Sequence, residues 1–312
     1  MWEIYTKKHC YKQEGETMDL KGIYTALVTP FKDGKLDEKA FKNLIGFQLK
    51  GGINGVVPCG TTGEAPTLSF EEHEKVIELA VKYVNGKVPV IAGTGSNSTQ
   101  EAIELTEGAK KLGADFCLLT TPYYNKPTQE GLYQHFKAIA EAVNIPLILY
   151  NIPGRTGINM TPETIFRLSR IRNIVGIKEA AGSLTQVSEI YRLTKGAFTI
   201  LSGDDNLFLP MMSVGAVGVI SVLSNIMPKE LQSLYRAFLV EKNIKKAMNI
   251  HTRLMPLFQG IFVETNPIPI KEAMAYMGMV SKEFRLPLCP LSDANSKFIK
   301  TLLSDYGLLK KR

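Results

Sequence analysis

No stretch of the 312-residue chain approaches the ~18 uninterrupted apolar residues that a membrane span needs. The opening segment, Met1 to Asp19, has no apolar core of the kind a secretory leader carries, and instead holds Glu3, Lys7, Lys8, Lys12, Glu14 and Glu16. Neither a membrane helix nor a signal peptide is expected. Cysteine is sparse: Cys10, Cys59, Cys117 and Cys289 lie far apart and make no C-x-x-C pair, which argues against a disulfide framework and a thiolate metal site. A reducing cytoplasm fits that usage. The four histidines, His9, His73, His135 and His251, form no ligand cluster, so a zinc-dependent mechanism is disfavoured and no metal is expected. The phosphate-loop pattern G-x-x-x-x-G-K-[ST] and the esterase elbow G-x-S-x-G are absent, and Gly93-Thr94-Gly95 is too short for a dinucleotide fingerprint.

What is present is an ordinary globular composition, 45% hydrophobic and 21% charged, in a chain long enough for one large α/β domain. The formal charge of +7 is scattered, and the run Lys300 to Arg312 alone contributes four basic residues against one acidic. A solvated basic tail accounts for that run without nucleic acid, while the excess of positive charge suits small anionic substrates.

Eight short β-rich runs recur: Gly22 to Val28, Ile53 to Cys59, Val88 to Thr94, Asp115 to Thr120, Pro146 to Asn151, Ile174 to Glu179, Phe198 to Gly203 and Ala216 to Val222. Helical periodicity lies between them, as in Asp37 to Lys50, Phe70 to Val84, Thr99 to Leu112, Gln129 to Val143 and Ser183 to Thr194. Ser69 before Phe70-Glu71-Glu72, the capping-box-like Ser98-Thr99-Gln100-Glu101, and Thr161-Pro162-Glu163 mark helix starts. Parallel strands need crossovers, and eight βα units in about 200 residues fit a closed (β/α)8 TIM barrel better than a doubly wound open sheet, the structural alternative. After the eighth run only helices follow, near Pro228 to Val240, Lys242 to Leu257, Pro269 to Met277 and Asp293 to Leu303. The expected organisation is a mobile extension at residues 1–19, a barrel at 20–225 and a helical C-terminal region at 226–312.

In such a barrel chemistry sits where the strands end. Ile174 to Glu179 places Lys178 at the end of the sixth run. A neutral amine attacks carbonyls, but free lysine titrates near ~10.4, so a reactive one must be desolvated or set beside groups that lower its pKa. A lysine snorkelling out of the strand, or paired with Glu179, fits the same residues. Gly60-Thr61-Thr62-Gly63-Glu64 after the second run offers two hydroxyls and backbone N–H groups to a carboxylate, or is simply a tight capped turn. Thr121-Pro122-Tyr123-Tyr124-Asn125 follows the fourth run and Tyr150 to Gly157, with Arg155, follows the fifth. Tyrosine relays protons and arginine grips carboxylates, although paired tyrosines also pack at interfaces. In Leu201-Ser202-Gly203-Asp204-Asp205 the carboxylates are expected to act as a helix N-cap.

Taken in this order, Gly60 to Glu64, Thr121 to Asn125, Tyr150 to Gly157, Gly176 to Ala180, Ser202 to Asp205 and Asn266 to Ile270 resemble the dihydrodipicolinate synthase and N-acetylneuraminate lyase family, from about Leu20 to the C-terminus. The resemblance implies an imine between Lys178 and pyruvate, with Tyr150 shuttling protons and Thr61 and Tyr124 completing the relay. Tyr124 would reach into a neighbouring subunit, making a dimer the minimal active unit and a tetramer of two tight dimers the expected assembly. Thr62 would hold the pyruvate carboxylate, the main chain around Gly203 and Ile220 would line the pocket, and no cofactor is needed. Arg155, in the pattern Asn-x-Pro-x-Arg-Thr-Gly, points to L-aspartate 4-semialdehyde as the second substrate, on the route to diaminopimelate and lysine. The lyase branch usually lacks that arginine and carries Gly-Ser-[ST]-Gly-Glu where this chain has Gly60 to Glu64; a sugar-acid aldolase or N-acetylneuraminate lyase is the alternative. His73, Asn97, Glu101 and Tyr123 match a lysine-sensitive allosteric pocket, but Ala65, Pro66 and Phe70 depart from it, implying weak or moderate feedback inhibition.

Overall fold

The computed structural model describes residues 20–309 and the backbone of 11–13 and 16–18. The extension expected at residues 1–19 falls outside the described residues except for two short strands, Tyr11–Gln13 and Glu16–Met18, which pair antiparallel.

Eight strands appear where the apolar runs lie: β1 (Gly22–Ala26), β2 (Gly55–Val57), β3 (Ile91–Gly93), β4 (Phe116–Thr120), β5 (Leu147–Asn151), β6 (Ile174–Glu179), β7 (Thr199–Ser202) and β8 (Gly218–Ser221). Their spatial order is β2-β1-β8-β7-β6-β5-β4-β3, every ladder parallel. The two ends of this order meet at a parallel bridge between Val56 and Val90, and the Gly93 N–H donates to the Pro58 carbonyl at 3.0 Å. The sheet thus closes into a (β/α)8 barrel and the open-sheet alternative falls away.

The outer ring is α1 (Glu38–Lys50), α2 (Phe70–Val84), α3 (Thr99–Lys111), α4 (Gln129–Ala142), α5 (Pro162–Leu168), α6 (Leu184–Thr194), α7 (Phe208–Ser213) and α8 (Pro228–Tyr235). Helices α5 and α7 span seven and six residues, too few turns to show periodicity in the sequence. At α2 the full capping box forms: Ser69 Oγ accepts the Glu72 N–H and the Glu72 carboxylate accepts the Ser69 N–H. At α3 only half forms. Ser98 Oγ accepts the Glu101 N–H at 3.4 Å, but the Glu101 carboxylate takes the Ser96 hydroxyl instead.

Alternation along each strand divides the apolar residues between two cores. Tyr24, Val57, Ile91, Phe116, Ile148, Leu201 and Ile220 fill the barrel interior. A larger set, including Ile23, Val56, Leu147, Leu149 and Ile177, packs outward against the helices. On β6 a register shift decides which face carries the lysine: Ile174 pairs with Leu147, but Gly176 pairs with Ile148, so Val175 is a bulge. Beyond it Lys178 pairs with inward-facing Tyr150, whereas an unbroken strand counted from outward Ile174 would have turned Lys178 towards the helices.

The C-terminal region continues with a π-helical turn (Arg236–Val240), α9 (Ile244–Gly260), α10 (Ile268–Tyr276) and α11 (Asp293–Asp305). It shares the outer core with the barrel, and α8, which lies beyond residue 225, packs on β1. Helix α10 is buried on most sides, including Lys271 and Glu272. Lys271 forms a fully buried ion pair with Glu64 and lies 4.2 Å from the Phe31 ring centroid, so this helix is anchored to the loop after β2. Among the described residues no helix is long and apolar enough to cross a membrane.

Candidate active site

A cavity of about 440 Å³ opens at the C-terminal ends of the strands. Lys178 stands on its wall, only 6% exposed, with Nζ 4.0 Å from the centroid of the Tyr150 ring. Glu179 faces the other way, where its carboxylate accepts the Asn151 side-chain amide, the Gln186 amide and the Ala181 N–H. Pairing with Glu179 therefore does not neutralise Lys178, and burial removes the snorkelling alternative. Loss of hydration pushes the ammonium pKa from 10.5 down to about 8, against the opposing pull of Asp204 and Asp205 and with help from Arg155. At pH 7 about one molecule in ten then carries a neutral amine at this position, compared with about one in 3000 for an unperturbed lysine.

Tyr150 ends β5 beside it. Burial pushes its phenol well above the ordinary tyrosine range, offset in part by Arg155 and a hydrogen bond with Thr61, so the group stays protonated and able to donate. Thr61 belongs to the 3₁₀ turn Thr61–Gly63, bounded by Cys59 and Glu64, both at φ 55°. Two non-glycine residues in the left-handed region within six positions make this a tightly specified loop. Thr29 Oγ1 donates to the Gly63 carbonyl at 2.7 Å from below, and the Glu64–Lys271 pair holds its far end.

Arg155 projects from a single helical turn, Pro153–Thr156, that directly follows β5 and ends on Gly157 at φ 73°. Its Nη2 donates to the Asn266 carbonyl at 3.0 Å, and the Asn266 side-chain amide donates to Thr62 Oγ1 at 3.0 Å. Asn266 thus ties two predicted binding residues, Thr62 and Arg155, to the C-terminal region. The sequence marks Asn266 only as the start of Asn266 to Ile270, one of the stretches that carry the family resemblance, and residue spacing does not indicate these two bonds.

Gly203 packs against the lysine stem. A Cβ there would lie 2.6 Å from Ala180 Cβ and 3.2 Å from Lys178 Cε. The two carboxylates that follow behave differently from the expected N-cap. Asp204 occupies the cap position of the turn Asp205–Leu207 but makes no side-chain capping bond, and the residue lines the cavity. The Asp205 carboxylate accepts the N–H groups of Val222 and Leu223, both at 2.9 Å, and so caps the turn after β8 instead of its own. Two adjacent residues at a strand end point to opposite sides, and periodicity alone does not tell which carboxylate faces in.

The structure brings Lys178, Tyr150, Thr61, Thr62 and Arg155 to one cavity, with Gly203 and Ile220 on the same wall. His73, Glu101 and Tyr123 also line it; His73 Nε2 lies 2.8 Å from the Gly93 carbonyl and burial lowers its pKa. Asn97 and Tyr124 are outside that lining. The Asn97 carbonyl accepts the Asn125 side-chain amide at 2.9 Å, and Tyr124 is 90% exposed with φ 70°. No group of three or more His, Cys, Asp or Glu side chains is placed to hold a metal among the described residues.

Comparison with known proteins matches residues 19–306 to the model of the dihydrodipicolinate synthetase family. The 4-hydroxy-tetrahydrodipicolinate synthase of Thermodesulfovibrio yellowstonii is 56% identical over 291 residues, 93% of this chain and 99% of that protein. The crystal structure of dihydrodipicolinate synthase from Aquifex aeolicus superposes with a TM-score of 0.91 at 51% identity, covering 94% of this chain and 100% of that one. A chloride-inhibited dihydrodipicolinate synthase from Acinetobacter baumannii, solved in complex with pyruvate, gives a TM-score of 0.91 at 46% identity over 93% and 100% of the two chains. A buried lysine at the end of β6 in a closed barrel, and a match in sequence and structure over nearly the whole chain, lead to one conclusion: the chain belongs to the dihydrodipicolinate synthetase family of enzymes.

Proposed function

We propose that the protein condenses pyruvate with L-aspartate 4-semialdehyde through an imine on Lys178. The observation that carries this reading is the inward-facing, desolvated Lys178 amine in contact with Tyr150, in the same cavity as Arg155. The relatives' names and the pyruvate complex of the Acinetobacter enzyme support it.

The neutral amine adds to the keto carbon of pyruvate, and with uptake of one proton water leaves to give a protonated imine. That cation is an electron sink, so the methyl group loses a proton and the resulting enamine carbon attacks the aldehyde, whose oxygen takes up a proton. The substrate's own α-amine is then positioned to add to the imine carbon and displace Lys178, closing a six-membered ring of five carbons and one nitrogen. Tyr150, protonated and hydrogen-bonded with Thr61, is the group beside the reacting nitrogen that passes these protons. Thr62, held by Asn266, receives the pyruvate carboxylate, and the main chain at Gly203 and Ile220 completes that end of the pocket. Arg155, its guanidinium braced on the Asn266 carbonyl, receives the carboxylate of the semialdehyde.

Tyr124 completes the relay from outside. Its almost full exposure suits a phenol delivered to the cavity of a second copy, so the functional unit is a dimer and the assembly a pair of dimers. His73, Glu101 and Tyr123, with Asn97 nearby, form a lysine-responsive end of the same cavity. Ala65, Pro66 and Phe70 also line it, which makes its grip on lysine weak to moderate.

Three outcomes are expected. Purified protein consumes pyruvate with L-aspartate 4-semialdehyde and not with N-acetylmannosamine, and Arg155→Ala lowers kcat/KM for the semialdehyde by about 100-fold or more, the scale of losing a charge-assisted pair; selective turnover of a sugar aldehyde would assign the chain to the sugar-acid branch. Lysine titrated to millimolar concentration lowers the rate partially, and an unchanged rate removes the regulatory site. Lys178→Met abolishes turnover yet stabilises the fold by on the order of 3 kcal/mol at pH 7. The folded pKa lies below the unfolded one, so the unfolded chain binds the extra proton between about pH 8 and 10.5. The penalty carried by the lysine is therefore complete below pH 8 and fades as pH rises towards 10.5. Urea unfolding at pH 7 and pH 9.5 checks this, and an advantage that does not shrink with pH would contradict it.

A further inference from the structure

Two carboxylates line the cavity, and only one is already bonded: Glu101 accepts the Ser96 hydroxyl. The Asp204 carboxylate has no hydrogen bond or ion pair among the described residues, although its backbone is pinned on both sides. The Asp204 N–H donates to Ser202 Oγ at 3.2 Å, and that hydroxyl donates back to the Asp204 carbonyl at 2.8 Å. The backbone of Asp204 is thus fixed at the end of β7, and the residue lines the cavity with its carboxylate unbonded. Lys178 sits on β6, between β7 with Asp204 and β5 with Arg155 in the turn after it. An anion and a cation therefore flank the nucleophile on opposite sides, and no ion pair joins the two. Neighbouring Asp205 is buried with its Oδ2 taken by two backbone N–H groups, and it is not among the residues that line the cavity.

We propose that Asp204 binds the α-ammonium group of the aldehyde substrate, so that Arg155 and Asp204 together read the two charges of an amino-acid zwitterion. This rests on the function proposed above and extends it to a second specificity contact. A free carboxylate facing an amino-acid substrate gains a charge-assisted hydrogen bond that an aldehyde without the amine cannot make. The position also suits the chemistry: the ammonium must finally give up a proton, for which the Asp204 carboxylate is the adjacent acceptor, and the amine so formed adds to the imine carbon on Lys178 from that side. Both Lys178 and Tyr150 feel the Asp204 charge, which agrees with its placement at the reacting end of the cavity.

The test is a single-turnover experiment on the full-length protein loaded with pyruvate. Borohydride quenching followed by mass measurement of the Lys178 peptide reports how fast each aldehyde consumes the trappable pyruvate imine. L-aspartate 4-semialdehyde is compared with succinic semialdehyde, which has the same carboxylate and aldehyde but no amine. In Asp204→Asn the concentration of aspartate semialdehyde giving half-maximal consumption rises tenfold or more, at least fivefold more than that for succinic semialdehyde, with both proteins loaded at saturating pyruvate because loss of the Asp204 charge also shifts the Lys178 amine. An equal loss for both aldehydes, no loss for either, or failure of Asp204→Asn to form the pyruvate imine would overturn the proposal, the last by placing Asp204 on the imine itself. Failure of the unmodified protein to trap pyruvate, or to consume the imine with aspartate semialdehyde, would instead overturn the proposed function.

Discussion

The rest of the site depends on keeping one lysine amine out of water at the mouth of the barrel. Water would hold Lys178 protonated, and a protonated amine has no lone pair to offer. The fold removes that water by three means. The bulge at Val175 turns the side chain inward, the Tyr150 ring covers Nζ, and Gly203 brings backbone against the lysine stem. Burial alone would depress the amine further, but Asp204 and Asp205 oppose it and leave the group titrating near neutrality. The same two aspartates divide their work: one supports the turn after β8 and one remains available in the cavity.

The helical C-terminal region is part of this arrangement. It supplies Asn266, which joins the loop after β2 to the turn after β5, and Lys271, which pairs with Glu64 in the interior. A buried ion pair is a poor source of net stability, because desolvation offsets the attraction. Its value here is geometric. Glu64 also accepts the Arg285 N–H at 3.2 Å, so a carboxylate in a left-handed position is held by two segments more than 200 residues away along the chain. Thr61 and Thr62 inherit their positions from that anchorage.

Much of this was legible in the residues. Strands that are buried on both faces appear as short apolar runs, and all eight were visible as such; polar residues at or just beyond their ends drew attention to Lys178, Tyr150, Thr61 and Arg155, which line one cavity in the structure. Other features depend on contacts that sequence spacing does not encode. The bulge at Val175 appears only in the pairing with β5, and whether Lys178 faces in or out depends on it. Asn266 acts on Thr62 from 204 positions away. The Asp204-Asp205 pair gives no hint of which carboxylate is taken by a neighbouring turn, and the Ser98 box lost its second half to Ser96, a competitor two residues upstream. The short helices α5 and α7 are set by tertiary packing after their strands, and their few turns leave no periodic trace.

The most direct test of the central claim is the pH dependence of pyruvate trapping. Protein incubated with pyruvate, reduced with borohydride at a series of pH values and digested, should carry one reduced adduct on the peptide containing Lys178, with an initial rate that rises through a midpoint near pH 8. An adduct on another lysine, or a midpoint near the ordinary lysine value, would show that burial at the end of β6 does not generate the nucleophile.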